Sequence, residues 1–387
     1  MHTPPKCDMP YLRPFVRTFA APLLLLMTAV AGGCNINISD DHRPLAAGPE
    51  GKITIAIDSV QWIGPIGDAI RETLGGPIYT LPAPEPAFDI QQISIRTDLM
   101  FEQMKRQKNV VIVAPLSDTT AEARFLQARF GEGVQGLIDS GESAVVSRED
   151  LWRRDQLVVY IAAATPDSVA AAIRAKSEDL LYVFNKITRE RLTIEMFQKG
   201  RQAEIEERLM EKHGFAVNGQ HDYFVAVDTT NFVWLRRVIS SETWRSLFVY
   251  YEENGQPSDL SAEWIYARRD SLTRQYMQGT EAGYVEIDRR RPLVTENINF
   301  LDRYGFETRG LWQMVLDSDG RTLQMGMGGS FVTYAFYDQE SGRNYLIDGM
   351  IFAPGYEKRE FLRQMEVIAH TFRTAPPAAE ALATRFE

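Results

Sequence analysis

The apolar residues of this chain change their spacing once, and that change limits the folds open to it. Up to His213, short apolar runs alternate with helical patterns; beyond it, strand pattern follows strand pattern. Residues 53–57 (Ile-Thr-Ile-Ala-Ile) alternate as a strand does. Pro65 then opens a helix with Ile66, Ala69, Ile70 and Leu74 at helical spacing, and Gly75-Gly76 stop it. Residues 81–86 (Leu-Pro-Ala-Pro-Glu-Pro) read as a stiff loop, 89–95 as a strand and 97–107 as a helix opened by a Thr cap. Residues 110–114 and 157–163 are continuous apolar runs, as in strands buried on both faces. Residues 115–142 show no clear period. Thr165-Pro166-Asp167 supplies a cap, a first-turn proline and an acid near the positive helix end. Helical spacing runs from there to His213 with a break near Gly200, and Gly214 ends it as a left-handed cap. Residues 51–214 are therefore expected to form an α/β domain.

Residues 215–373 are expected to form an α+β domain, an antiparallel sheet with flanking helices. Strands are predicted over 223–227, 231–238 and 246–252, and an amphipathic helix over 261–277 with Trp264, Ile265, Leu272 and Tyr276 on its inner side. A meander follows: 311–316, the turn Asp317-Ser318-Asp319-Gly320, 322–327, a second turn at Gly328-Gly329, 330–337, and 344–352. Pro354 opens a last helix with Phe361, Met365, Ile368 and Phe372 on one face. The fold class read from the whole chain is α+β with a mixed α/β first half. The Ala/Pro-rich residues 374–387 read as a flexible tail.

The N-terminus carries an address. Lys6, Arg13 and Arg17 precede an apolar stretch centred on Leu23-Leu24-Leu25-Leu26, and Ala31-Gly32-Gly33-Cys34 follows. A basic region, a short apolar core and small residues before a cut site make a secretory signal, here residues 1–33. The apolar stretch of 19–30 is too short for a bilayer, which needs roughly 20 residues. The cysteine after small residues resembles the lipobox of bacterial lipoproteins, with Ala31 where that pattern prefers Leu. The resemblance implies cleavage between Gly33 and Cys34 and acylation of Cys34, including palmitate, which anchors the chain to a membrane. Asn35 in place of an aspartate leans toward the outer membrane, and Asp40-Asp41 form a short acidic patch. Residues 34–50 are polar and aperiodic and are expected to be a tether. Losing 1–33 also removes Cys7 and leaves the chain two charges more acidic than its formal -10. An acidic body argues against general nucleic-acid affinity.

The remaining residues offer little chemistry of recognisable spacing. The body's histidines, His213, His221 and His370, are expected at a helix end, in a turn and on a helix. Gly326 to Ser330 (Gly-Met-Gly-Gly-Ser) lacks the lysine of a phosphate loop and reads as a hairpin turn. Asp317-Ser318-Asp319-Gly320 has Gly328 where a calcium loop has its glutamate. No metal site and no cofactor are implied. Arginine clusters are the more unusual feature: 153–154, 236–237, 268–269 and 289–291. Trp234, Arg236 and Arg237 at the end of an apolar strand, with Arg289, Arg290 and Arg291, are the candidate ligand-binding residues, suited to anionic glycan or lipid groups.

Several stretches resemble the lipoproteins of the domain-of-unknown-function 4837 family. They are Gln61-Trp62-Ile63-Gly64-Pro65-Ile66-Gly67-Asp68, Leu81-Pro82-Ala83-Pro84-Glu85-Pro86, Asp228 to Arg237, Arg268-Arg269-Asp270-Ser271, Arg309-Gly310-Leu311-Trp312 and Tyr356 to Arg363. They span residues 52–370. The resemblance implies a Gram-negative envelope lipoprotein and carries no activity with it. The closing strand, turn and amphipathic helix are also similar to the Mog1/PsbP-like fold, which implies a binding or assembly module. The expected function is thus a lipid-anchored, non-catalytic binding or assembly protein of the cell envelope, with an envelope protein or anionic glycan or lipid as partner. The alternatives are a carrier or sensor of an amphiphilic ligand, and a hydrolase built on two facing carboxylates.

Overall fold

The computed structural model describes residues 41–240, 243–279 and 282–374. The signal segment, Gly33 and Cys34, and all of the predicted tail beyond residue 374 lie outside them. The first half runs β1 (Lys52–Ala56), α1 (Ser59–Ile63), α2 (Pro65–Thr73), β2 (Pro77–Ile78), β3 (Glu85–Pro86), β4 (Asp89–Ile93), α3 (Asp98–Lys105), β5 (Asn109–Pro115), α4 (Ala121–Arg129), α5 (Glu132–Asp139), β6 (Ala144–Glu149) and β7 (Leu157–Ala163). Three helices follow: α6 (Pro166–Ala175), α7 (Ser177–Phe197) and α8 (Ala203–His213). The second half runs β8 (Phe224–Asp228), β9 (Phe232–Ser240), β10 (Thr243–Glu252), α9 (Ala262–Tyr276), β11 (Tyr284–Ile287), β12 (Val294–Phe300), β13 (Arg303–Ser318), β14 (Arg321–Asp338), β15 (Arg343–Phe352) and α10 (Arg359–Ala369).

The fold class is α+β. The first sheet has the order β4-β1-β5-β7-β6, parallel except for β6, which returns antiparallel along β7 at the edge. Its central strands β5 and β7 are buried along their whole length, as their uninterrupted apolar sequence requires. The helices that follow β4 and β7 start on the predicted caps Thr97 and Thr165, and the one after β5 starts on Thr120; each accepts a backbone N–H of the first turn. Gly214 ends α8 in the left-handed region, at φ 74°. The second sheet is antiparallel, ordered β11-β13-β14-β15-β10-β9-β8, with β12 pairing one end of β13.

One unassigned stretch is filled and three expectations need correction. Residues 115–142 hold two short helices, α4 and α5, and β6 is an added edge strand. The supposed turn at Gly326–Ser330 lies inside the continuous β14. Glycine serves close approach there: a Cβ on Gly328 would stand 2.7 Å from the Trp312 carbonyl oxygen, and one on Gly329 2.0 Å from that of Ile351. The last helix starts at Arg359, not at Pro354, which sits in the turn ahead of it. The tether expected over 34–50 is docked along 44–50. Ala46 donates to the Arg154 carbonyl, Ala47 to that of Arg106, and buried Glu50 takes ion pairs from Lys108 and Arg191.

Charged contacts join the two sheets. The carboxylate of Glu85, in the Pro-rich loop, accepts the backbone N–H groups of Lys358 (2.7 Å) and Arg359 (2.9 Å) and so caps α10. Arg359 reaches Asp89 (2.8 Å), and Arg363 donates to the Ala87 carbonyl (2.8 Å) with its guanidinium over Phe88. Helix α7 serves both cores: Leu180 and Phe184 pack with the first sheet, Leu192, Met196 and Phe197 with the second.

Candidate functional site

The predicted arginine set does not converge. Neighbouring residues of a strand face opposite sides of its sheet, so Arg236 and Arg237 part company. Arg237 pairs with Asp222 (2.7 Å) and Gln220 (3.1 Å). Arg236 lies over the rings of Trp234 (5.0 Å) and Trp244 (5.8 Å), with its Nε shielded and without a partner. Burial pulls its pKa down. The Trp234 indole donates to Ser246. Arg289 pairs with Asp270 (2.7 Å), Arg290 with Asp288 (2.8 Å), and Arg291 donates to the Pro82 carbonyl (2.7 Å). Of the predicted residues, only Trp234 and Arg236 meet.

Carboxylates raised by burial are Glu206 and Asp348, and both sit in ion pairs. Arg373 and Arg201 hold Glu206; Arg269 and Thr333 hold Asp348. His213, fully buried, stands between Asp228 (Nε2, 2.8 Å) and the Tyr251 hydroxyl (Nδ1, 3.2 Å). That hydroxyl donates to the Thr230 carbonyl (2.7 Å), so the array ties α8 to the second sheet. Among the described residues, no group of three or more His, Cys, Asp and Glu side chains gathers as a metal site, and no helix is long and apolar enough to cross a membrane.

The concavity with converging chemistry lies at the free edge of the first sheet, where sequence reasoning placed nothing. Arg129 closes α4, Phe130 leaves it extended, and Gly131 leads into α5. The antiparallel register sets Val146 opposite Tyr160 and Arg148 opposite Val158. Residues two apart on a strand share a face, so Val146 and Arg148 stand beside Tyr160 under the α4–α5 turn. The cavity holds about 280 Å³ between Phe130, Val134, Val146, Leu151 and Tyr160, with Arg129 and Arg148 also on its lining. Tyr160 is only 4% exposed, braced by the edges of Phe125 (5.8 Å) and Phe130 (6.3 Å).

The polar groups of this pocket are unmatched. The Tyr160 hydroxyl is shielded and has no hydrogen-bond partner, which is uncommon for a buried polar atom. Burial pushes its pKa up while Arg129 and Arg148 pull it down, so both guanidiniums act on it. Arg129 lies over Phe125 at 5.2 Å; among the described residues no ion pair engages it or Arg148. Two cations and a hydroxyl donor around apolar walls suit a small anion with an apolar portion.

The family described as domain of unknown function DUF4837 matches residues 202–371, and a second, described as DUF8532, matches 46–197. The stretches 61–68 and 81–86, expected to belong with the first family, fall in the second match. No curated protein matches the chain. Among solved structures, the Saccharomyces cerevisiae Ran-binding protein Mog1p is similar at 11% identity and a TM-score of 0.29, over 42% of this chain and 90% of that one. A Mog1 mutant is similar at 10% identity and 0.28, over 42% and 92%. A structure from Bacteroides thetaiotaomicron VPI-5482 is similar at 7% identity and 0.21, over 42% and 46%. At such scores none of these supports an argument about fold or function.

Proposed function

We propose, for a chain whose residues 202–371 belong to the DUF4837 family, a lipid-tethered, non-catalytic binding role in a bacterial cell envelope, with the Tyr160 pocket as its recognition site. One observation carries the reading: Arg129, Arg148 and Tyr160, whose hydroxyl has no internal partner, line one cavity with apolar walls. Donors and apolar surface in that arrangement are the equipment of recognition. Cys34, behind Gly33 at the end of an apolar run, supports the tether, and the outer membrane is its proposed location.

Native mass spectrometry tests the pocket. The full chain is extracted from membranes in mild detergent, beside a Val146→Trp variant that fills the cavity. The wild type is expected to carry a non-covalent adduct that the variant lacks. Recovery of both without an adduct, or with the same adduct, removes the pocket from the proposal. The tether is checked on the same spectra: Cys34→Ser is expected to lose the acyl mass.

A further inference from the structure

We propose that the Tyr160 pocket takes the anionic head of a membrane amphiphile, a phosphate or carboxylate with the first methylenes of its chain, from the bilayer that holds the tether. The proposal rests on the binding role assigned above and adds ligand class and direction of approach.

Direction comes from where the N-terminal segment docks. Arg154 donates to the Arg43 carbonyl (2.9 Å), and Leu45 bridges to Arg154 in parallel register. The Arg43 guanidinium reaches the Leu151 carbonyl (3.5 Å), and Leu151 is itself a wall of the pocket. The chain thus enters the body beside the pocket, at the end of the sheet where β6 finishes. From Cys34 to Asp41 there are seven residue steps, at most about 25 Å of chain. An acyl anchor at Cys34 therefore keeps this end of the body within reach of the bilayer.

Ligand class comes from the lining. The chain carries 52 acidic side chains against 42 basic ones, yet among the described residues none forms an ion pair with Arg129 or Arg148. Both guanidiniums are exposed, so they meet an incoming anion without first breaking an internal ion pair. Tyr160 lines the same cavity, and its shielded hydroxyl has no internal partner to give up before donating to an anion there, while Val134, Val146, Phe130 and Leu151 receive an apolar portion. A volume of about 280 Å³ is below the usual size of a drug-sized ligand site and admits a head group with a short apolar part, not a whole lipid. The rest of the amphiphile would stay in the membrane.

Water-soluble short-chain lipids test this on the detergent-solubilised full chain by calorimetric titration. Dihexanoyl phosphatidylglycerol is expected to bind saturably. Arg129→Ala with Arg148→Ala is expected to weaken it about tenfold or more, and Tyr160→Phe by a smaller factor. Dihexanoyl phosphatidylcholine and glycerol phosphate are expected to bind at least about tenfold more weakly than phosphatidylglycerol. Equal binding of glycerol phosphate would show a site for free phosphate and overturn the membrane source. Equal binding of the choline lipid would show an apolar contact alone and overturn the anion. If none binds while the native spectra keep a pocket-dependent adduct, this inference fails and the binding role stands. Unchanged unfolding midpoints of the variants separate loss of ligand from loss of fold.

Discussion

Around the eight-stranded sheet, three arginines close onto acids within the fold. Arg269 holds Asp348 at 2.7 Å with both side chains fully buried, Arg309 bridges Glu307 and Glu366, and Arg303 holds Asp338 at 2.6 Å. At the edge of the five-stranded sheet, Arg129 and Arg148 stand over a cavity and meet no acid among the described residues. The same residue type does opposite work in the two places, and what decides is whether a carboxylate lies within reach. In the second sheet the guanidiniums join strands to helices: Asp348 on β15 meets Arg269 on α9, and Glu366 on α10 meets Arg309 on β13. In the first, the parallel core of β5 and β7 is held by apolar packing, and the arginines at its edge are not needed to hold it.

The sharpest way to break this contrast is to remove one acid and two arginines in separate proteins. Asp348→Ala leaves Arg269 as a buried charge without its carboxylate, a loss of about 3–5 kcal/mol. The Arg129→Ala, Arg148→Ala double variant removes exposed groups without ion pairs and is expected to stay within about 0.5 kcal/mol of wild type. Urea denaturation reads both. Similar losses in the two proteins would show that the pocket arginines are structural after all.

The second sheet also packs against a buried histidine. His370 lies between the rings of Phe300 and Tyr334, and its Nδ1 is 2.8 Å from the Glu366 carbonyl. Burial, with Arg189 adding to it, pushes its pKa down to about 4 against the pull of Glu366 and Glu307. The unfolded chain, near 6.5, takes up the proton first. Between those values the unfolded state binds more protons, so stability falls as pH drops. The slope approaches about 1.4 kcal/mol per pH unit, on the order of 3 kcal/mol across the window. Unfolding free energies of wild type and His370→Phe from pH 7 to 4 check it: the variant is expected to lose most of this slope. Equal slopes would place the acid sensitivity elsewhere.

Local signals were legible in the sequence and distant ones were not. Thr97, Thr165, Ser261 and Gly214 each end or begin a helix as read, because a cap acts within one turn. The buried strand at 157–163 is found with its predicted bounds. The pocket escaped because Arg129, Arg148 and Tyr160 form no motif; only the antiparallel return of β6 brings them together. Its strand, Ala144–Glu149, ends in Ser-Arg-Glu, which carries no apolar alternation. Arginine doublets misled for a related reason. Sequence adjacency in a strand means opposite faces, so Arg236 met tryptophans and Arg237 met Asp222.

The Pro-rich loop gives the smallest of these tests and bears on how the two sheets are joined. Its stiffness was readable, but its purpose lies some 270 residues away, where Glu85 caps α10. Glu85→Ala removes the acceptor for two backbone N–H groups at the positive end of that helix, a cost of about 1–2 kcal/mol. Asp89→Ala removes a partner of Arg359 that is more than half exposed and is expected to cost less than about 1 kcal/mol. If the loop acts as a cap, Glu85→Gln should recover part of the loss, because an amide oxygen still accepts one N–H. If it acts through charge alone, the Gln variant should be no better than Ala. Hydrogen exchange at Lys358 and Arg359 separates the two: faster exchange in the Ala variant with partial protection in the Gln variant identifies the cap. Such a cap holds α10, which packs on β14 and β15, to the loop that leads into β4, so it couples the second sheet to the first.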